Sequence, residues 1–222
     1  MSGIQAPGVI LDVDDTLYLE RDYVRSGFNA VGRFLSQLGV IDAGAELWAG
    51  FEAGVRGTAF NDLLRSRGLV AKVSVDQLVT VYREHEPSIE LLPDAKRALE
   101  MLGDRFIGII TDGPSASQHA KINALGIRGL IDHVVVTSDF GPGFGKPHVR
   151  AFREMEDVSG LCGQNLVYVA DNPVKDFLAP RELGWKTLRI RRPGGLHAGC
   201  EWDGETVSEF PKIHEHQANY EL

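Results

Sequence analysis

Cysteine is nearly absent: Cys162 and Cys200 are the two in 222 residues. Two thiols make no disulfide framework, so stability must rest on a packed core, and such sparing use fits a reducing compartment. No apolar run is long enough to span a bilayer. The first residues, MSGIQAPG, lack a basic stretch leading into an apolar one, so no secretory leader is expected and the expected location is the cytoplasm. Positive charge is scarce as well. Twenty-three Lys and Arg face 31 Asp and Glu, a net charge of −8. That acidity argues against nucleic acid or an anionic membrane surface as a partner. It leaves room for an anionic small molecule, because a bound cation can reverse the field locally. Internal repeats and low-complexity linkers are also missing. What is present, 43% hydrophobic and 24% charged residues, is the composition of an ordinary globular protein with room for a sizeable core.

Five apolar runs rich in β-branched residues recur, at Val9–Val13, Arg105–Thr111, His133–Thr137, Leu166–Ala170 and Lys186–Ile190. After the second they alternate with helical stretches at Ser115–Leu125, Pro147–Asp157 and Pro173–Leu183. Strand–helix–strand alternation implies right-handed crossovers, and so an α/β fold with a doubly wound, Rossmann-like parallel sheet of about five strands. Gly126 and Gly184 follow helical segments and suit left-handed C-caps. Between the first two strands the pattern breaks. Residues 18–92 hold helical patterns at about Asp22–Leu38, Ala45–Arg67 and Val75–Glu86, with Val24, Phe28, Val31 and Leu35 spaced as one apolar helix face. This reads as a helical insert placed to act as a lid, leaving residues 1–17 and 93–222 as the core, which restarts with a helix at Asp94–Leu102. The tail from Arg191 carries His197, Cys200, His214 and His216, whose spacing matches no standard zinc pattern, so these histidines are expected at the surface.

Four polar clusters stand at the ends of four of these strands: Asp12, Asp14 and Thr16; Thr111-Asp112-Gly113; Lys146 after a Gly-rich loop; and Asp171-Asn172 with Asp176. In a parallel sheet all carboxyl ends lie on one edge, so the clusters converge. Carboxylates gathered there cannot all remain ionised without a counter-charge, and a hard divalent ion such as Mg²⁺ is the usual answer. Asp12 and Asp171 are candidate ligands, with Asp176 holding metal-bound water or Lys146. Thr111, Lys146 and turn N–H groups suit the outer oxygens of a phosphoryl group. A carboxylate in line with phosphorus can attack it, and a second carboxylate two residues on can move the proton. Taken singly, each cluster has a plainer reading as a turn, a solvated lysine or an acidic helix cap. Their order, placement and charge balance together favour the chemical one.

In that order, DVDDT at Asp12–Thr16, Thr111, Lys146 in GKP, and Asp171 with Asp176 in ADNPVKDF resemble the four motifs of the haloacid dehalogenase superfamily, across roughly residues 9–190. The insert is similar to that family's C1 cap. The resemblance implies a Mg²⁺-dependent phosphatase that cleaves a small phosphorylated metabolite through an aspartyl-phosphate. Asp12 would be nucleophile and metal ligand, and Asp14 general acid/base with its carbonyl on the metal. Thr111, Asp112, Gly113 and Lys146 would bind the phosphoryl group, and Asp171 the metal. Asp176, Thr16 and Asn172 would support them. An acid at position 14 argues against dehalogenation. A phosphomutase is the alternative within the superfamily, with Arg21, Arg25, Arg56, Arg65 and Arg67 as possible anion contacts. A non-catalytic phospho-aspartate switch and a binding-only pseudoenzyme fit the full residue set less well.

Overall fold

In a computed structural model, residues 8–210 are described. They form two compact units, residues 8–20 with 90–210, and residues 21–89.

The first unit is built on six parallel strands: β1 (Gly8–Leu11), β2 (Ile107–Thr111), β3 (His133–Val136), β4 (Leu166–Ala170), β5 (Lys186–Ile190) and β6 (Thr206–Val207). Their order is β3-β2-β1-β4-β5-β6. Every residue of β1, β2 and β4 is buried, which is why the sequence shows unbroken apolar runs there in place of alternation. The chain winds outward from β1 through β2 to β3, then crosses back to β4 on the other side of β1. The winding therefore reverses between β1 and β4, whose residues pair from Gly8↔Leu166 to Leu11↔Val169. A reversal of this kind leaves a crevice beyond the strand ends, where open α/β sheets hold ligands. Ile10, Ile110, Phe152, Met155, Tyr168, Phe177 and Trp185 form a core cluster on this sheet.

Four helices accompany these strands: α5 (Pro93–Met101), α6 (Ser115–Ala124), α7 (Arg150–Ser159) and α8 (Leu178–Glu182). Two are shorter than the sequence suggests, for a common reason. The expected helix Pro173–Leu183 forms only over α8, because Asn172 and Asp176 spend their side chains on local backbone: Val174 N donates to Asn172 Oδ1 and Asn172 N to Asp176 Oδ2. Before α7, Arg150 N donates to His148 Nδ1, delaying a helix expected from Pro147. Gly126 and Gly184 do adopt left-handed φ, at 70° and 75°. The sixth strand lay in the tail, where a two-residue strand leaves no periodicity to read.

The second unit begins as α1 (Glu20–Ser36) leaves the core, and continues with α2 (Ala43–Glu52), α3 (Ala59–Ser66) and α4 (Val75–Glu84). Val24, Phe28, Val31 and Leu35 are buried in a core of its own, with Leu47, Leu63 and Leu78. The single helix expected over Ala45–Arg67 is two helices, because Gly54 and Gly57 turn the chain at φ 90° and 74°. Gly32 and Gly44 permit a close approach of α1 and α2: a Cβ on Gly32 would stand 2.9 Å from Gly44 N. None of the described helices is long and apolar enough to cross a membrane.

Candidate active site

The turn after β1 carries the densest chemistry. Asp12 is buried, and its backbone N donates to Val169 O, which extends the β1–β4 pairing to the point where the side chain enters the crevice. Asp15 sits at φ 49°, in the left-handed region, so the turn reverses sharply. Its carboxylate is spent on backbone, accepting from Glu20 N at 2.9 Å and Leu196 N at 2.6 Å. Thr16 is fully buried with its hydroxyl unpartnered, and its carbonyl accepts from Arg192 Nε and Nη2. The turn is thereby fastened to the tail, a role with no signal in the residue pattern.

Asp12, Asp171 and Asp176 place one carboxylate oxygen each within 4.8 Å of the others, all buried. Asp171 follows β4 directly, and its carbonyl accepts from buried Arg189 Nε at 3.0 Å. Lys146 lies among these acids with a fully buried side chain, its Nζ 3.0 Å from Asp12 Oδ1, 2.8 Å from Asp176 Oδ1 and 3.0 Å from Tyr168 OH. The acids crowd one another despite this lysine. Burial, and then the charges of Asp12 and Asp176, push the Asp171 carboxyl up to about 9. Burial, with Asp176 and Asp14, raises Asp12 to about 6, against the pull of Lys146 and Lys175. Burial would lower the Lys146 ammonium, but the surrounding acids hold it well above its ordinary value.

The other expected residues are also here. Asp112, just past β2, accepts Thr137 Oγ1 at 2.7 Å and Lys146 N at 3.0 Å on one oxygen, and Lys175 Nζ at 2.9 Å on the other. Burial opposes its ionisation, yet Lys146 and Lys175 hold its carboxyl below the usual range. Thr111 is buried and its hydroxyl donates to Gln118 Oε1, while Gln118 Nε2 donates to Asp112 O. Gly113 turns at φ 126°, and a Cβ there would lie 2.6 Å from Gln118 Nε2, so glycine is required. Asn172 Nδ2 pairs with His197 Nε2 at 3.1 Å, so His197 is half-buried beside the site and not a free surface histidine. His214 and His216 lie outside the described residues.

Several site residues carry no motif signal. Lys121, buried on α6, places Nζ 2.8 and 2.7 Å from the two oxygens of Asp14, with which Tyr18 OH also pairs. Glu20 stands nearby, raised to about 7 by burial and by Asp14. Lys175 completes the set. The arginines proposed as anion contacts are mostly engaged within their own unit. Arg67 pairs with Glu46 and Arg21 with Glu52, Arg25 lies over Trp48, and Arg56 donates to Phe51 and Val55 carbonyls.

The donor set suits a hard divalent cation. Five carboxylates at these strand ends (Asp12, Asp14, Asp112, Asp171 and Asp176) meet three ammonium groups, Lys121, Lys146 and Lys175, and the surplus is concentrated at the buried Asp12–Asp171–Asp176 cluster. Three converging oxygen donors in a buried acidic cluster are what a hard divalent cation takes.

Comparison with known proteins places the chain in a family. The sequence model of the haloacid dehalogenase-like hydrolases matches residues 7–184. A glyceraldehyde 3-phosphate phosphatase of Methanocaldococcus jannaschii is 29% identical over 202 residues, covering 82% of this chain and 84% of that protein. Among solved structures, a HAD-hydrolase of Bacillus subtilis bound to magnesium superposes with a TM-score of 0.67 at 16% identity, covering 96% of this chain and 99% of that one. The 2-haloacid dehalogenase of Pseudomonas syringae pv. Tomato DC3000 does so with a TM-score of 0.66 at 18% identity, covering 97% and 100%. The chain belongs to the haloacid dehalogenase-like hydrolases, as one of their phosphoric monoester hydrolases.

Proposed function

We propose that this chain is a Mg²⁺-dependent phosphatase of a small phosphorylated metabolite, working through a phosphoryl group carried on Asp12. The observation that carries this reading is the buried Asp12–Asp171–Asp176 cluster beside Asp14. Asp12, Asp171 and the Asp14 carbonyl would hold the cation, with Asp176 in support. When bound, the cation neutralises the carboxylates and the phosphoryl charge, so an anionic substrate can approach an anionic nucleophile. Asp12 attacks phosphorus, and the bond to the leaving alcohol oxygen breaks as protonated Asp14 supplies its proton. Asp14, now a base, takes a proton from water, which attacks the phosphorus and returns Asp12 and inorganic phosphate. Lys121 and Tyr18 fix the Asp14 carboxylate during both transfers. Residues 18–92 are assigned the part of cap, choosing the substrate.

Glyceraldehyde 3-phosphate is the first substrate to try, since phosphatases of that ester are among the chain's relatives. The test is phosphate release over a panel of sugar phosphates, short phospho-acids and nucleoside monophosphates, with Mg²⁺ and with EDTA. The reading expects turnover of at least one ester that EDTA abolishes. Release that is indifferent to EDTA, or none across the panel, overturns it.

A further inference from the structure

Lys146 and Thr111 occupy the positions expected to grip the phosphoryl group, and both also have buried partners within the fold. Lys146 Nζ donates a hydrogen bond to Tyr168 OH and stands in ion-pair contact with Asp12 Oδ1 at 3.0 Å and Asp176 Oδ1 at 2.8 Å, all within the buried interior. Its side chain has no exposed surface at all. The Thr111 hydroxyl has one hydrogen, and Gln118 Oε1 takes it.

Lys175 differs in each respect. Its ammonium has one side-chain partner among the described residues, Asp112 Oδ2 at 2.9 Å, which leaves two N–H donors unspent. Its side chain is 34% exposed. Its position is fixed at both ends. Asp112 is anchored by Thr137 and Lys146 N, and the turn carrying Lys175 is closed by Asp176 N donating to Asn172 O. It is also central, since its charge acts on Asp12, Asp112, Asp176 and Glu20 together.

We infer that Lys175 is the cation the entering phosphoryl group meets, donating its two unspent N–H groups to phosphoryl oxygens, while Lys146 serves as an internal strut that orients Asp12 and Asp176. A partly exposed ammonium next to the nucleophile can gain charge-assisted hydrogen bonds without breaking any that already exist. Lys146, with no exposed side-chain surface and two carboxylates in ion-pair contact, is tied more closely to the interior. Asp112 then holds Lys175 at the mouth of the site without neutralising its donors.

The inference rests on the phosphatase reading, and two measurements separate their failures. Binding of inorganic phosphate to the Mg²⁺-loaded protein is measured by calorimetry, and KM and kcat on the best ester by phosphate release. Lys175→Met is expected to weaken phosphate binding and raise KM by roughly tenfold or more, with kcat changed less and the thermal midpoint retained. Lys175→Arg is expected to restore most of the binding. Unchanged phosphate affinity in Lys175→Met, or a loss confined to kcat, overturns the inference. So does failure of Lys175→Arg to recover binding while folded. Lys175-dependent phosphate binding by a protein that turns over no ester would sink the phosphatase reading and leave the phosphate site standing.

Discussion

Asp14 shows how a side chain two positions from a nucleophile acquires a separate task. It is partly exposed, and both its oxygens lie against Lys121 Nζ, whereas Asp12 is buried among acids and Lys146. On the proposed mechanism one carboxylate touches phosphorus and the other exchanges protons at the edge of the site. Asp14→Asn is therefore expected to lose most turnover of ordinary esters, about a hundredfold or more, while still accepting a phosphoryl group from acyl phosphates, whose leaving group needs no proton. Burst and steady-state phosphate release on the two substrate types checks this, and equal losses on both would contradict it. Lys121→Met is expected to lower kcat with little change in KM, because Lys121 holds the Asp14 carboxylate through both its oxygens. Asp12, Asp112 and Asp171 were legible because each directly follows an apolar strand. Lys121 was not: it is a lone lysine on α6, 107 residues from its partner in sequence. Lys175 had the same problem inside a recognised segment, since nothing in the string ADNPVKDF marks which charge faces inward.

Elements read from sequence were good where periodicity is strong and poor where single side chains decide the ending. The parallel strands and the α1 face stood out as apolar patterns, while the Asn172–Asp176 turn replaced most of a helix through side-chain bonds that periodicity cannot show. The tail was least legible and holds the most consequential brace. Arg192, almost fully buried, donates to Thr16 O and to Asp94 Oδ2, which also accepts Phe210 N at 2.8 Å. The brace ties the β1 turn, α5 and the tail. Arg192→Met leaves Asp94 buried without its counter-charge and is expected to cost about 3–5 kcal/mol in urea unfolding. A loss below about 1 kcal/mol would mean the brace is decorative.

The sign of the pH effect at this brace follows from Asp94. Burial alone would raise its carboxyl, but the bonds from Phe210 N and Arg192 outweigh it and hold the value below 3.8. Its contribution is present above the unfolded value and is lost as pH falls through the folded one. Asp94→Asn should therefore show a shallower stability loss below about pH 4 than the wild type. In the helical unit, Gly32→Ala places a Cβ against the Gly44 backbone, which cannot yield, and is expected to cost about 1–3 kcal/mol.

The whole chain carries a net charge of −8, yet its active site must draw in an anion. On the proposed reading a bound divalent cation and the lysines at the site would do this locally, and the cation would have a structural consequence. Binding only the folded arrangement of Asp12, Asp171 and Asp176, Mg²⁺ is expected to raise the thermal midpoint in a concentration-dependent way. Asp171→Asn should abolish that rise, and a midpoint indifferent to Mg²⁺ in the wild type would count against the metal site.

The central claim is that Asp12 carries the phosphoryl group. Its most direct test is to mix the protein with acetyl phosphate and Mg²⁺, quench in acid, and locate the acyl-linked phosphate by peptide mapping. The account predicts label on the peptide containing Val9–Leu17, accumulating in Asp14→Asn and absent from Asp12→Asn. Label on another residue, or undiminished phosphate release by Asp12→Asn, would contradict it.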